Sequence, residues 1–214
     1  MKTNPIQLLC IILTVILTSW SKDSVAQNSK SNEIYKGIEF KMSKVKEPII
    51  PKNTVNIKDF GAVNGGTVLN TKVFADAIAA VSKKGCGKVI IPVGIWLTGP
   101  IVLKSNIELH AESGAIIKFS TDKSLYPLVE TSFEGLNTYR CISPIYGKNL
   151  ENIAFTGKGV WDGSGEVWRQ VKKSKLTDSQ WKNFVASGGV LNEKKDTWYP
   201  SEAFMKASIG ADQN

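Results

Sequence analysis

The chain has 214 residues, 42% of them hydrophobic and 21% charged, and a formal net charge of +8 from 27 Lys and Arg against 19 Asp and Glu. This length admits one domain with a sizeable core. Three cysteines without CxxC spacing and a single histidine, His110, exclude a clustered zinc site, and no GxSxG nucleophile motif is present.

The first residues read as an export signal. Lys2 supplies the positive start, Ile6–Leu17 the apolar core, and Ser24-Val25-Ala26 the small residues a signal peptidase reads, with cleavage expected before Gln27. The apolar run is shorter than the roughly 20 residues of a membrane helix, so no stable span is expected here, and no later segment is apolar enough for one. Cys10 lacks the small residues that precede a lipidated cysteine. The expected location is periplasmic or extracellular. Residues 27–214 would carry +7, from 25 Lys and Arg against 18 Asp and Glu. Such an excess steers acidic partners, although scattered lysines also read as a solvated surface; export sets nucleic acid aside in favour of polyuronates. Cys86 and Cys141 would survive cleavage, and an exported protein can join such a pair.

Residues 27–53 are polar and read as a flexible lead-in. Thr54-Val55-Asn56-Ile57 alternates as a first strand, and Asp59-Phe60-Gly61-Ala62-Val63 leads into the turn-rich Asn64-Gly65-Gly66. A helix follows, with Asn70 or Thr71 as cap. Val73, Phe74, Ala77, Ile78 and Val81 lie on one face, and Gly85 ends it in a left-handed conformation. Lys88–Ser120 then packs four short apolar runs between turn residues: Val89–Ile91, Pro100–Leu103, Ile107–His110 and Ala115–Phe119. Strands this short need stacked neighbours, which predicts a solenoid of parallel strands with the helix covering its first end. Asn106-Ile107-Glu108-Leu109 is echoed by Asn152-Ile153-Ala154-Phe155. The interval between the two asparagines fits two coils of about 23 residues.

Beyond Asp162-Gly163-Ser164-Gly165 the pattern changes. Glu166–Val171 and Ser179–Ala186 read as helices, Gly188-Gly189 as a stop, and Trp198-Tyr199-Pro200 as extended chain. Ser201–Asn214 is polar and shows no closing strand or cap, so the chain reads as truncated and its solenoid as open at that end. Poor solubility or partial order is expected of it.

Asp59-Phe60-Gly61-Ala62-Val63, Gly94-Ile95-Trp96-Leu97-Thr98-Gly99-Pro100-Ile101, Ser143-Pro144-Ile145-Tyr146 and Asn152–Gly163 together resemble the start of the pectin-degrading polygalacturonases, glycoside hydrolase family 28. The resemblance covers residues 54–169, with 170–214 similar to a partly helical insertion of bacterial members. It implies an all-β fold, a right-handed parallel β-helix with N-terminal coils behind a capping α-helix. It also implies hydrolysis of α-1,4-galacturonosyl bonds with inversion, by two carboxylic groups with room for a water between them and without a cofactor. The partner implied is pectin or polygalacturonate.

The family's Asn-x-Asp, Asp-Asp, Gly-His-Gly and Arg-x-Lys elements do not occur in this sequence. No catalytic residue is therefore assigned, and the chain is expected to be inactive alone. Asp162 reads as a turn residue whose carboxylate bonds backbone amides. The usual acidic loop after DFGAV is replaced by Asn64–Asn70, and no acidic cluster is present to hold the calcium of a lyase. Arg140, Tyr139 and Glu134 fall in a loop that borders the cleft in relatives, and are candidate substrate contacts. Arg140 would grip a carboxylate with its planar fork, or else pair with Glu134 or Glu130 as a structural ion pair. Trp168, Trp181 and Trp198 are candidate sugar-stacking residues, with core packing as the alternative. A non-catalytic β-helix module that binds acidic polysaccharide is the competing function.

Overall fold

In a computed structural model, residues 35–212 are described, with side chains through residue 208. The expected export signal, Cys10 and residues 27–34 lie outside the described residues. The chain divides into Met1–Glu47 and Pro48–Asn214. The described part of the first carries turns and irregular chain, with the Val45 amide donating to the Tyr35 hydroxyl at 2.8 Å. The second carries the described strands and helices.

Nine of its strands run in three parallel stacks. One holds β1 (Thr54–Asn56), β2 (Gly87–Ile91), β5 (Ile107–Ala111) and β10 (Ile153–Gly157), in that order. A second holds β3 (Gly94–Thr98), β6 (Ala115–Phe119) and β11 (Val160–Asp162); a third pairs β4 (Ile101–Val102) with β9 (Ile145–Tyr146). The chain visits the three stacks in turn, which makes a right-handed parallel β-helix. Gly87 faces Ile107 and Gly94 faces Ala115, so one short coil lies directly on the next. The four apolar runs read from sequence fall on β2, β4, β5 and β6. β3 is added to them from the Gly94–Thr98 motif. Alternation is the local cause: on β5, Ile107, Leu109 and Ala111 are buried while Glu108 and His110 point out.

The interval from Asn106 to Asn152 is one coil, not two coils of about 23 residues. Ile153 pairs directly with Ile107, and the Asn152 amide donates to Asn106 Oδ1 at 2.7 Å across 46 positions. The extra residues leave the stack as an antiparallel hairpin, β7 (Leu128–Phe133) and β8 (Leu136–Cys141), inserted between β6 and β9. Both asparagines have positive φ, 60° and 52°, which their side chains tolerate at this tight bend.

Helix α1 (Thr71–Lys83) lies at the start of the stack, as the periodicity predicts. Phe74, Ala77, Ile78 and Val81 join Val55, Ile57, Val89, Ile91 and Trp96 in one core. Gly85 follows the helix with φ 93°. Asn70 occupies the N-cap position without a side-chain cap bond, and its amide instead ties the 63–68 loop to β3; Thr71 Oγ1 accepts from the Gly99 amide at 2.6 Å. At the other end of the stack, Phe155 is 44% exposed although its stacking partner Leu109 is fully buried. The last coil thus shows an apolar surface that the coils beneath it have covered.

Residues 170–212 form a small layer. β12 (Val171–Lys172) and β13 (Val190–Leu191) flank β14 (Thr197–Tyr199) antiparallel, and helix α2 (Asp178–Ala186) connects them behind a Thr177–Gln180 capping box. Glu166–Val171 is not a helix. Gly165–Trp168 is a 3-10 turn, and Val171 and Lys172 pair with Trp198 and Thr197, a long-range partner that outweighs local preference. Ser201–Asn214 does carry regular structure: helix α3 (Glu202–Asp212) begins there, with Ser201 Oγ accepting from the Phe204 amide at 3.2 Å, and packs against β8. Its buried residue Ala207 and half-buried Phe204 are too few to read as a stripe in sequence. Among the described residues, no helix is long and apolar enough to cross a membrane.

Candidate functional site

The β7–β8 hairpin organises the candidate site. Glu134 and Gly135 turn the chain with φ 52° and 85°, the positive pair that matches the twist of a two-residue hairpin. The expected loop at Tyr139-Arg140 is therefore a strand, and consecutive strand residues point to opposite faces. The three sequence candidates are not brought together. Glu134 sits exposed at the tip. Tyr139, 61% exposed, lies opposite Glu130 on one face. Arg140 lies opposite Val129 on the other.

That division also removes the ion pair considered for Arg140. Glu130 faces away from it, and among the described residues no carboxylate lies within ion-pair distance of its guanidinium. The guanidinium instead stacks 3.7 Å from the Phe133 ring centroid. Its Nε is buried without a hydrogen-bond partner.

The Arg140 face of the hairpin, the 3-10 turn Gly165–Trp168 and α3 line a half-open cavity of about 180 Å³. Trp168 stands edge-on to Tyr126 at 4.8 Å and tilted against Phe204 at 6.3 Å. Its indole Nε1 is also buried and unpartnered. Trp168 therefore packs among aromatic rings and also lines the cavity. Trp181 and Trp198 are buried, and Trp198 Nε1 donates to the Gly188 carbonyl at 2.6 Å, so these two pack the small layer. Tyr126 and Phe204 were not foreseen, because nothing local to either points at a hairpin inserted from elsewhere in the chain.

The opposite face of the hairpin borders a groove with Glu130, Ser132, Asn137, Tyr146 and Lys148, where one acid and one base balance. A third polar group decorates the outer face of the first stack. Glu108 Oε1 lies 3.0 Å from Lys88 Nζ and accepts the Thr156 hydroxyl at 2.5 Å; His110 Nδ1 lies 2.6 Å from Thr156 Oγ1 and 3.6 Å from Glu108. Partial burial raises the Glu108 carboxyl, but the Thr156 hydroxyl, the Lys88 ammonium and His110 outweigh it and hold it below the ordinary glutamate value. These residues come from adjacent coils in register, and His110 is a strand surface residue as expected. Asp162 Oδ1 accepts the Ser164 amide at 3.0 Å, the turn role read from its sequence setting. Cys86 and Cys141 are both free, the first against the core and the second beside the cavity, where burial pushes its thiol up. Among the described residues, no group of three His, Cys, Asp or Glu is placed to hold a metal ion.

No family model matches the chain. It is 34% identical over 131 residues to a probable polygalacturonase of Vitis vinifera, covering 55% of this chain and 26% of that protein. It is 32% identical over 134 residues to an exo-poly-alpha-D-galacturonosidase of Dickeya chrysanthemi, covering 59% and 21%. Among solved structures, a hyperthermoactive exopolygalacturonase from Thermotoga maritima matches with a TM-score of 0.54 and 47% identity, covering 58% of this chain and 28% of that one. The chain thus spans about a quarter of the length of the proteins it matches.

Proposed function

We propose, from the premise that this chain is polygalacturonase-like, of glycoside hydrolase family 28, that it is the N-terminal portion of an exported hydrolase acting on α-1,4-galacturonosyl bonds of pectin with inversion. The observation that carries the reading is the 47% identity to the Thermotoga maritima exopolygalacturonase. The motifs quoted from the sequence supply this chain's own side of it: Gly94–Thr98 is β3, Ile145-Tyr146 is β9 and Ile153–Gly157 is β10. The excess of lysine and arginine suits a polyanionic substrate, and the apolar run Ile6–Leu17 with Ser24-Val25-Ala26 suits delivery outside the cytoplasm.

Inverting hydrolysis needs one carboxylic acid to protonate the leaving oxygen and a carboxylate to activate water from the opposite face. The acids described above have other tasks. Asp162 holds a turn, and Glu108 is tied to Lys88 and Thr156. No two aspartates are adjacent in the sequence. These 214 residues therefore supply scaffold and substrate contact, and turnover requires carboxylates that they do not contain. Of the three candidate contacts, Arg140 keeps its role in this proposal. Tyr139 and Glu134 are left as rim residues on a separate face and at the tip.

The purified chain incubated with polygalacturonate is expected to bind it and release no reducing ends. Steady release of reducing ends would refute the assignment of the chemistry to residues outside this chain. Absence of binding would count against the substrate class.

A further inference from the structure

The described part of the first unit, Tyr35–Glu47, is a loop held shut by one of its own side chains. The Tyr35 hydroxyl accepts from the Val45 amide at 2.8 Å, ten positions away. Gly37, with φ 81°, allows the turn at the loop's entry. The loop presents apolar side chains to solvent: Phe40 is 69% exposed, Val45 78% and Met42 48%. Lys36, Lys41, Lys44 and Lys46 are interspersed with them in sequence, against Glu39 and Glu47. Water solvates the lysines well and the apolar groups badly, so the loop suits a surface that offers negative charge and hydrocarbon together. A polyanionic sugar would take up the ammonium groups and leave Phe40 and Met42 in water. A purely apolar groove would strip the lysines of solvent. The boundary of an anionic bilayer accepts both. Its phosphates meet the ammonium groups, and long lysine stems let the apolar side chains between them sink below the headgroups. Because the Tyr35 clasp already restricts the loop, docking has less chain to order.

We propose that the clasped loop Tyr35–Val45 is an interfacial anchor that seats the protein on an anionic lipid bilayer. Phe40 and Met42 enter the boundary between headgroups and acyl chains, and Lys36, Lys41 and the adjoining Lys46 meet the phosphates. Such a loop lies on the membrane rather than across it. The anchor is independent of the pectin reading.

The test uses the full chain with two kinds of vesicle, one of phosphatidylcholine alone and one of equal parts phosphatidylcholine and phosphatidylglycerol. The apolar run Ile6–Leu17 is itself a lipid-seeking segment, so the readouts are confined to the loop. Co-sedimentation is expected to show binding roughly tenfold or more tighter to the anionic vesicles, weakening as salt is raised. The double variant Lys41→Gln, Lys46→Gln should lose most of that preference. Phe40→Ser should weaken binding to the anionic vesicles by about tenfold, the worth of one buried apolar side chain. Both variants change exposed residues, and unchanged dichroism and melts are expected to show that each folds. The methyl resonance of Met42, identified by its loss in Met42→Leu, should broaden in bicelles of the same anionic composition that carry a spin-labelled lipid. Equal affinity for the two kinds of vesicle, an unbroadened Met42 methyl, or wild-type binding by either variant would overturn the proposal. A Met42 resonance that shifts with soluble polygalacturonate and not with lipid would assign the loop to the sugar polymer, and would overturn it equally.

Discussion

Replacing Asn70 by aspartate tests how the first loop is held to the stack. Asn70 is 1% exposed. Its Oδ1 accepts from the Val63 amide at 2.8 Å, and its Nδ2 donates to the carbonyls of Val63 and Val68 at 3.0 Å and of Leu97 at 3.2 Å. Asn70→Asp preserves the acceptor and turns the donor edge into a carboxylate oxygen facing three carbonyls. Two donated hydrogens are lost, at about 1 kcal/mol net each, and a buried negative charge is added among acceptors. The added penalty has a ceiling. The carboxyl escapes it by taking up a proton, which at pH 7 costs about 4 kcal/mol from an unfolded value near 3.9. The expected loss is therefore about 3–5 kcal/mol, or roughly 6–20 °C in melting temperature for a domain of this size. The sign follows from the raised folded pKa. The variant's shortfall against the wild type is small below the unfolded value, where both states are protonated, and grows as pH rises through the folded value. Paired urea titrations of the two proteins should show a deficit near 1 kcal/mol at about pH 3 that widens toward neutrality. A deficit under about 0.5 kcal/mol at pH 7, within the scatter of ordinary surface substitutions, or one that does not change with pH, would refute the argument.

Two further expectations concern the stack itself. Leu109→Ala, at a fully buried position, should cost about 2–5 kcal/mol in urea unfolding, whereas Phe155→Ala one coil further on should cost clearly less because 44% of that side chain is already exposed; equal losses would mean that something covers Phe155 in solution. Glu108→Gln should lower stability by about 0.2–1 kcal/mol at pH 7. Because the folded carboxyl lies below its ordinary value of 4.5, that contribution is present above 4.5 and fades as pH falls through the folded value. A Glu108→Gln deficit that persists unchanged at about pH 3 would show that charge is not its source.

Much of this molecule is written in local pattern. Alternation in Ile107–Ala111 and Ala115–Phe119, the helical stripe of Phe74, Ala77, Ile78 and Val81, and the asparagines at the coil bends each follow from the chemistry of neighbouring residues. That is why the parallel β-helix and its capping helix were legible in the sequence. What lay beyond it depended on contacts distant along the chain. Asn70 has the identity and the position of a helix cap, but its Oδ1, the atom that would cap, accepts from the Val63 amide instead. The interval between Asn106 and Asn152 looks like two coils, until pairing of Ile107 with Ile153 makes it one and expels a hairpin. The Tyr139-Arg140 pair reads as one loop site, yet strand pairing turns the two side chains to opposite faces. The small layer and its cavity are the clearest case. Val171 and Lys172 become a strand only because Thr197 and Trp198 lie beside them, and Arg140 and Trp168 line one cavity only because α3 packs against the hairpin. Periodicity determines which face of a segment is buried. Which distant segments share a cavity is decided by tertiary packing, since no local pattern encodes it.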